Sequence, residues 1–152
     1  SVEVGGIDTS GFEVKTMNGS VRLNKVSGAR LVTRTVNGSL RLEGGLGQVE
    51  AKTTNGSITL LNMAEDSDVR LETVNGRILV QLPARDDIGV ELSARTTAGS
   101  VEHPSLDIKL DARRMTGGRS VEAKSDNWGR AEHKVVLHLR SVNGSITIKE
   151  LD

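Results

Sequence analysis

The sequence has no cysteine and no tyrosine, and its aromatic residues are Phe12 and Trp128 alone. The absence of cysteine excludes disulfides, thiolate nucleophiles and zinc–thiolate sites. No apolar run approaches the roughly 18 residues that a membrane-spanning helix needs. We therefore expect no membrane insertion by this segment, and a core built from many small aliphatic side chains.

Neither sign of charge is in excess, because 20 lysines and arginines balance 20 aspartates and glutamates. This balance argues against a nucleic-acid partner, since such proteins usually carry a basic surplus. Valine, isoleucine and threonine together number 36 of the 152 residues, a composition typical of β-sheets. We expect one all-β domain over 1–152, with regular repeats over 12–102 and 135–150 and an irregular segment over 103–134.

A repeat near 19 residues long occupies most of the chain. Its template is an alternating strand, then Asn-Gly, then an aliphatic residue three positions after the asparagine; the fifth copy has Ala-Gly. Threonine stands two positions before the asparagine in five copies, and serine does so in the last. The six copies are 12–23, 31–42, 49–60, 69–80, 91–103 and 137–148. Weaker glycine turns between the copies indicate two strands per repeat.

Two architectures fit this pattern. Asn-Gly between alternating runs is a strong hairpin signal, so an antiparallel meander of Asn-Gly hairpins is possible. The identity of equivalent positions from copy to copy favours a parallel β-solenoid instead, because a parallel stack places like on like and would align the asparagines into a ladder. Asparagine and glycine both tolerate the positive φ of a tight turn. The predicted turn-forming residues are Asn18, Gly19, Asn37, Gly38, Asn55, Gly56, Asn75, Gly76, Asn143 and Gly144.

The alternation also predicts which side chains face the interior. The expected interior positions are Val21, Leu23, Leu31, Leu40, Leu42, Val49, Ile58, Leu60, Leu71, Ile78, Val80, Leu137, Leu139, Ile146 and Ile148. The residue just before each asparagine then points away from the core. Four of these six residues are apolar, and we predict that they form a docking strip for a protein partner or a second copy. The docking strip consists of Met17, Val36, Val74 and Val142.

The repeat, with the form (V/L)-x-x-x-T-V-N-G-S-(I/L)-x-L, resembles a bacterial family of unknown function whose members are named as candidate adhesins. The resemblance covers roughly residues 12–150. It implies a β-solenoid outside the cytoplasm, at the cell envelope or surface, and in some members a part in envelope-stress signalling. It implies no catalytic residue.

The chain offers little chemistry. We expect His138 on the solvent side of its strand, and His133, His138 and Glu132 match no standard metal motif. The acidic stretches 64–68 and 85–87 lack the pattern of a calcium loop. We therefore expect no catalytic residue, no cofactor and no metal.

Three functions remain open at this point. The favoured one is a non-enzymatic structural or adhesin-like interaction module of the bacterial cell envelope. The second is a regulatory envelope-stress domain that binds a protein or peptide. The third is a glycan-active β-helix enzyme, which would need paired carboxylates in a cleft and usually aromatic platforms.

Overall fold

The computed structural model describes residues 1–6, 8–25, 27–44, 46–61, 66–83, 87–102, 119–124 and 128–151. All the regular secondary structure in these ranges is β-strand. The strands form one sheet of seven and one of eight. Neighbouring copies of the repeat pair in parallel throughout. The parallel β-solenoid is thus confirmed, and the antiparallel meander is wrong.

Each copy of the repeat forms one coil, in which a strand of the eight-stranded sheet leads through the Asn-Gly corner into a strand of the seven-stranded sheet. Two short strands, β1 (Val2–Gly5) and β2 (Asp8–Thr9), precede the coils. Coils 1 to 3 are β3 (Phe12–Asn18) with β4 (Val21–Asn24), β5 (Ser27–Asn37) with β6 (Leu40–Glu43), and β7 (Leu46–Asn55) with β8 (Ile58–Leu61). Coils 4 and 5 are β9 (Ser67–Asn75) with β10 (Ile78–Pro83), and β11 (Ile88–Ala98) with β12 (Val101–Glu102). After β13 (Arg119–Lys124), coil 6 is β14 (His133–Asn143) with β15 (Ile146–Leu151).

The core lies between the two sheets and consists of valine, leucine, isoleucine and alanine from alternate positions of each strand. All fifteen residues predicted to face the interior are buried, so the predicted register is confirmed. Because equivalent positions stack on one another, the apolar side chains of each coil pack against those of the neighbouring coils. Charged side chains at the intervening positions face solvent on the outer surfaces.

The coils do not stack in chain order. Asn143 of coil 6 lies beside Asn75 of coil 4 on one side and beside Ala98 of coil 5 on the other. In the second sheet, Ile146 likewise lies between Ile78 and Val101. The stacking order is therefore 1, 2, 3, 4, 6, 5, with the last coil of the chain inserted between the fourth and the fifth.

The outer edge of coil 5 is covered by β13, which pairs antiparallel with β11 from Glu91↔Lys124 to Thr96↔Arg119. The irregular segment thus supplies a strand that shields a sheet edge. The alternation of Leu106, Ile108 and Leu110 predicts a further strand over 105–115, which lies outside the described residues. In the described ranges, no helix is long and apolar enough to cross a membrane.

Candidate functional site

The Asn-Gly corners form a column in which backbone lies directly on backbone. A Cβ added to Gly38 or Gly56 would lie 2.0 Å from the carbonyl oxygen of the turn glycine in the coil beside it. Gly38 and Gly56 are not among the residues with positive φ, so turn conformation is not why glycine is needed at these two corners. The reason is the close approach of successive coils, since each turn glycine also donates its N–H to the next coil, as Gly38 does to Asn55 O at 3.1 Å.

The asparagine side chains form the ladder that a parallel stack requires. The Nδ2 of Asn37 donates to Oδ1 of Asn18 at 2.8 Å, and Asn55 donates to Asn37 at the same distance. Asn75 continues the ladder to Asn55, and Asn143 continues it to Asn75, both at 2.9 Å. The five side chains are exposed. Each amide except the last therefore uses its oxygen to hold the next coil in register.

The threonines two positions before the asparagines donate hydrogen bonds to the preceding coil of the stack. The Oγ1 of Thr53 donates to the carbonyl of Gly38 at 3.1 Å, and Thr73 donates to Gly56 at 3.1 Å. Ser141 makes the same contact with Gly76 at 3.4 Å. The repeat pattern includes the threonine, but its hydrogen bond to the glycine carbonyl was not predicted. The regular position of threonine two residues before each corner could have indicated this role.

The docking strip lies on the outer face of the eight-stranded sheet, beside the asparagine ladder. Met17 is 73% exposed and Val36 is 42% exposed, whereas Val74 and Val142 are half-buried. The apolar surface is therefore strongest over coils 1 and 2. There Met17 and Val36 line a shallow groove of about 560 Å³, together with Thr54 and charged side chains of the same sheet. These are Lys15, Arg34, Glu50, Lys52 and Glu72.

The charged residues around this groove form ion pairs. Lys15 lies 2.7 Å from Glu13, and the hydrogen bond from Lys15 lowers the pKa of that carboxyl. The two carboxylates that line the groove face cations of the same sheet, with Arg34–Glu50 at 3.2 Å and Lys52–Glu72 at 3.4 Å. This arrangement is a paired surface, not two carboxyl groups facing each other across a bond to be cleaved.

The histidines do not converge on a common site. His138 is exposed on the outer face, as predicted, and His103 lies outside the described residues. The Nδ1 of His133 lies 2.9 Å from Oδ2 of Asp66, whose other oxygen accepts the backbone N–H of Lys134 at 2.8 Å. These two contacts, with the bond to His133 as the larger cause, lower the pKa of Asp66. In the described part of the chain, no group of three or more potential ligands could hold a metal ion.

The alternation of the sequence also places Arg70, Arg95 and Arg140 on the outer face of the eight-stranded sheet, where all three are exposed. The sequence reasoning did not single them out. Arg70 and Arg95 are 25 residues apart in the sequence, and Arg140 is farther still, so only the stacking order shows that the strand of Arg140 lies between the strands of the other two.

The fold and these columns define a parallel β-solenoid with Asn-Gly corners. The chain belongs to the family described as Toastrack DUF4097, whose model matches residues 1–149. The predicted resemblance to a family of unknown function is thus confirmed.

A solved structure shares the fold. It is a proposed cell adhesion protein from Clostridium sporogenes ATCC 15579, with a TM-score of 0.65 and 14% sequence identity over 99% of this chain and 92% of that chain. No curated protein matches the chain.

Proposed function

We propose that this chain is a non-enzymatic, adhesin-like interaction module of the bacterial cell envelope. The solenoid acts as a rigid support, and the docking strip on the eight-stranded sheet contacts a protein partner. The observation that carries the proposal is the exposure of Met17 and Val36, two large apolar side chains beside the ion pairs of coils 1 to 4. Exposed apolar surface of this kind usually marks an interaction site.

The chemistry of the groove defines the partner. Its lining has three cations, Lys15, Arg34 and Lys52, and two carboxylates, while Glu13, the partner of Lys15, lies outside the lining. The exposed side-chain amides of the asparagine ladder lie beside it and can donate and accept hydrogen bonds. We infer that the occupant is an extended segment of another protein, with apolar side chains over Met17 and Val36 and acidic side chains over the cations.

The structural neighbour from Clostridium sporogenes supports the adhesin-like part of the proposal, because it has the same fold and is itself proposed to act in cell adhesion. The implied position outside the cytoplasm rests on the family resemblance. The paired state of Glu50 and Glu72 supports a binding role over a hydrolytic one.

Selection of phage-displayed random peptides against the purified chain tests the docking strip. We expect enriched peptides that combine apolar and acidic residues, and we expect the M17K/V36K variant to bind them at least tenfold more weakly, because lysine places a charge in the apolar contact. The control is T59K/T147K, which adds the same charge to the other sheet and should bind like the wild type.

Two outcomes would contradict the proposal. One is the enrichment of peptides that bind M17K/V36K as tightly as wild type. The other is self-association of the wild-type chain that M17K/V36K abolishes, as measured by sedimentation, which would make a second copy the occupant.

A further inference from the structure

A second groove, of about 360 Å³, crosses the outer face of the eight-stranded sheet over coils 3, 4, 6 and 5, and Glu50, Lys52 and Glu72 are among the residues that line it. Its lining includes Arg70, Arg95, Arg140 and His138, whose side chains are all exposed. Arg70 is in register with His138, and Arg140 is in register with Arg95, so the four side chains occupy adjacent positions on neighbouring strands. This groove is assembled only because coil 6 enters the stack between coils 4 and 5.

The arginines of this groove lack the ion pairs seen over coils 1 to 3. Glu50, in register with Arg70, is bound by Arg34 at 3.2 Å. Glu72, in register with Arg140, is bound by Lys52 at 3.4 Å. In the part of the chain that the structure describes, no carboxylate forms an ion pair with any of the three guanidinium groups.

Like charges on directly adjacent strands destabilise a sheet, so Arg95 beside Arg140 costs stability unless an anion lies between them. The guanidinium group presents its N–H donors as a planar fork that matches a carboxylate or a phosphate group. Adjacent strands are about 4.8 Å apart, and alternate residues of a strand are roughly 6.6 Å apart. The groove therefore places Arg70, Arg95 and Arg140 within two strand spacings of one another, beside the ion-paired carboxylates Glu50 and Glu72.

We propose that this groove binds a linear anionic polymer of sugar or polyol units, one that carries carboxylate or phosphate groups along its chain. The three arginines do not belong to the docking strip, but the two grooves share Glu50, Lys52 and Glu72 in their linings. Bases and neutral sugars are usually held by stacking on large aromatic rings, and neither Phe12 nor Trp128 is among the described residues that line this groove. Recognition in this groove must therefore depend on charge and hydrogen bonding.

The affinity of the whole chain for two probes, hexagalacturonate and poly(glycerol phosphate), tests the proposal. We expect at least one probe to bind and its affinity to fall as sodium chloride is raised. In R95Q/R140Q the affinity for that probe should drop at least tenfold, because each lost charge-assisted hydrogen bond weakens binding severalfold or more. Whichever probe binds identifies carboxylate or phosphate as the group recognised.

The chain contains a matched control. Arg22 and Arg41 are also exposed neighbours in register, but they lie on the seven-stranded sheet, with Glu3 in register beside Arg22. R22Q/R41Q removes the same charge and should keep the affinity within twofold of wild type. R70Q, on a third strand, gives an independent test and should also weaken binding.

Three results would overturn the proposal. They are binding of neither probe, equal loss of affinity in R95Q/R140Q and R22Q/R41Q, and tighter binding of single-stranded DNA or polyglutamate than of both probes. The M17K/V36K variant keeps all three arginines and adds positive charge to the same face, so it should bind the anionic probes at least as tightly as the wild type, and failure of this proposal is distinguishable from failure of the docking strip. Circular dichroism should show that all variants are folded, because the substituted side chains point outward.

Discussion

At the scale of single residues, two buried threonines of the same sheet have opposite effects on stability. Thr53 is fully buried and donates its hydroxyl to the carbonyl of Gly38. Thr33 is equally buried, but its Oγ1 has no hydrogen-bond partner. A buried hydroxyl without a partner costs free energy, whereas a bonded one contributes to stability.

Replacing each threonine with valine, which has nearly the same shape, separates these effects. We expect Thr53→Val to lower the free energy of unfolding by about 1 kcal/mol and Thr33→Val to raise it by up to about 1 kcal/mol. Urea denaturation of the two variants and the wild type measures both changes. Equal destabilisation by the two substitutions would contradict the assignment of the unpaired hydroxyl.

The turn glycines give a second residue-scale prediction. A Cβ at Gly76 would lie 1.8 Å from the carbonyl oxygen of Gly56, whereas a Cβ at Gly129 would meet nothing within 4 Å. We expect Gly76→Ala to destabilise the protein by about 2–3 kcal/mol, because the coils must move apart, and Gly129→Ala to be nearly neutral. Thermal unfolding measures both variants, and equal melting temperatures for the two would contradict this prediction.

At the scale of elements, Asp66 connects β9 to β14 just before the two strands begin to pair. Its carboxylate accepts a hydrogen bond from the backbone of Lys134 and contacts His133. Asp66 itself has a positive φ of 56°, a conformation that aspartate tolerates better than most residues. This corner ties the inserted coil to coil 4 at the end of the strands opposite to the asparagine ladder.

The lowered pKa of Asp66 predicts a pH dependence. Since the folded protein favours the ionised carboxylate, this contact stabilises the fold above the ordinary aspartate pKa of about 3.9 and is lost as the pH falls through the lower pKa of the folded state. Asp66→Asn should therefore be less stable than wild type near neutral pH and should approach it in strong acid. NMR titration should also show the pKa of Asp66 rising in His133→Gln. A stability difference independent of pH would contradict this role.

The sequence predicts the elements better than their order. Alternation in each copy identifies inward residues such as Leu137 and outward ones such as His138, because a strand has only two faces. The template cannot show which coils are neighbours, since the residues that bond neighbouring coils are nearly the same in every copy. One copy differs from the template in a way that indicates the order. Coil 5 has Ala98 in place of asparagine, so a continuous ladder of the five asparagines requires coil 5 at one end of the stack.

The candidate sites follow the same rule. The outward position of the docking-strip residues was predictable because it depends on local alternation alone. The groove around Arg95 and Arg140 was not, because Arg70, Arg95 and Arg140 lie on strands of three different coils, whose contacts depend on the stacking order.

At the scale of the whole molecule, the stacking order makes the contacts unusually non-local. Asn75 and Asn143 are 68 residues apart in the sequence, and Thr96 and Gly144 are 48 apart. Contacts between coils 1 to 4 span far shorter separations, as in the 18 residues between Asn37 and Asn55. Non-local contacts slow folding because a long loop must close before they form.

Rearranging the chain tests this consequence. If residues 133–151 are moved to lie between coil 4 and coil 5, every coil follows its neighbour in the stack at a separation of about 20 residues. We expect the rearranged chain to keep the fold and to refold at least severalfold faster in stopped-flow measurements from urea. An unchanged or slower rate would show that insertion of coil 6 does not limit folding.

The asparagine ladder also bears on the chemical lifetime of the protein. Asn-Gly is the dipeptide most prone to deamidation, because the backbone nitrogen of the glycine can attack the side-chain carbonyl and close a succinimide ring. Here that nitrogen is engaged with the next coil, as Gly56 N is with Asn75 O at 3.2 Å, and the side-chain amides are held by their neighbours. The folded stack thus protects the Asn-Gly dipeptides that would deamidate first in an unfolded chain. A succinimide or isoaspartate at these corners would mark molecules that have unfolded locally.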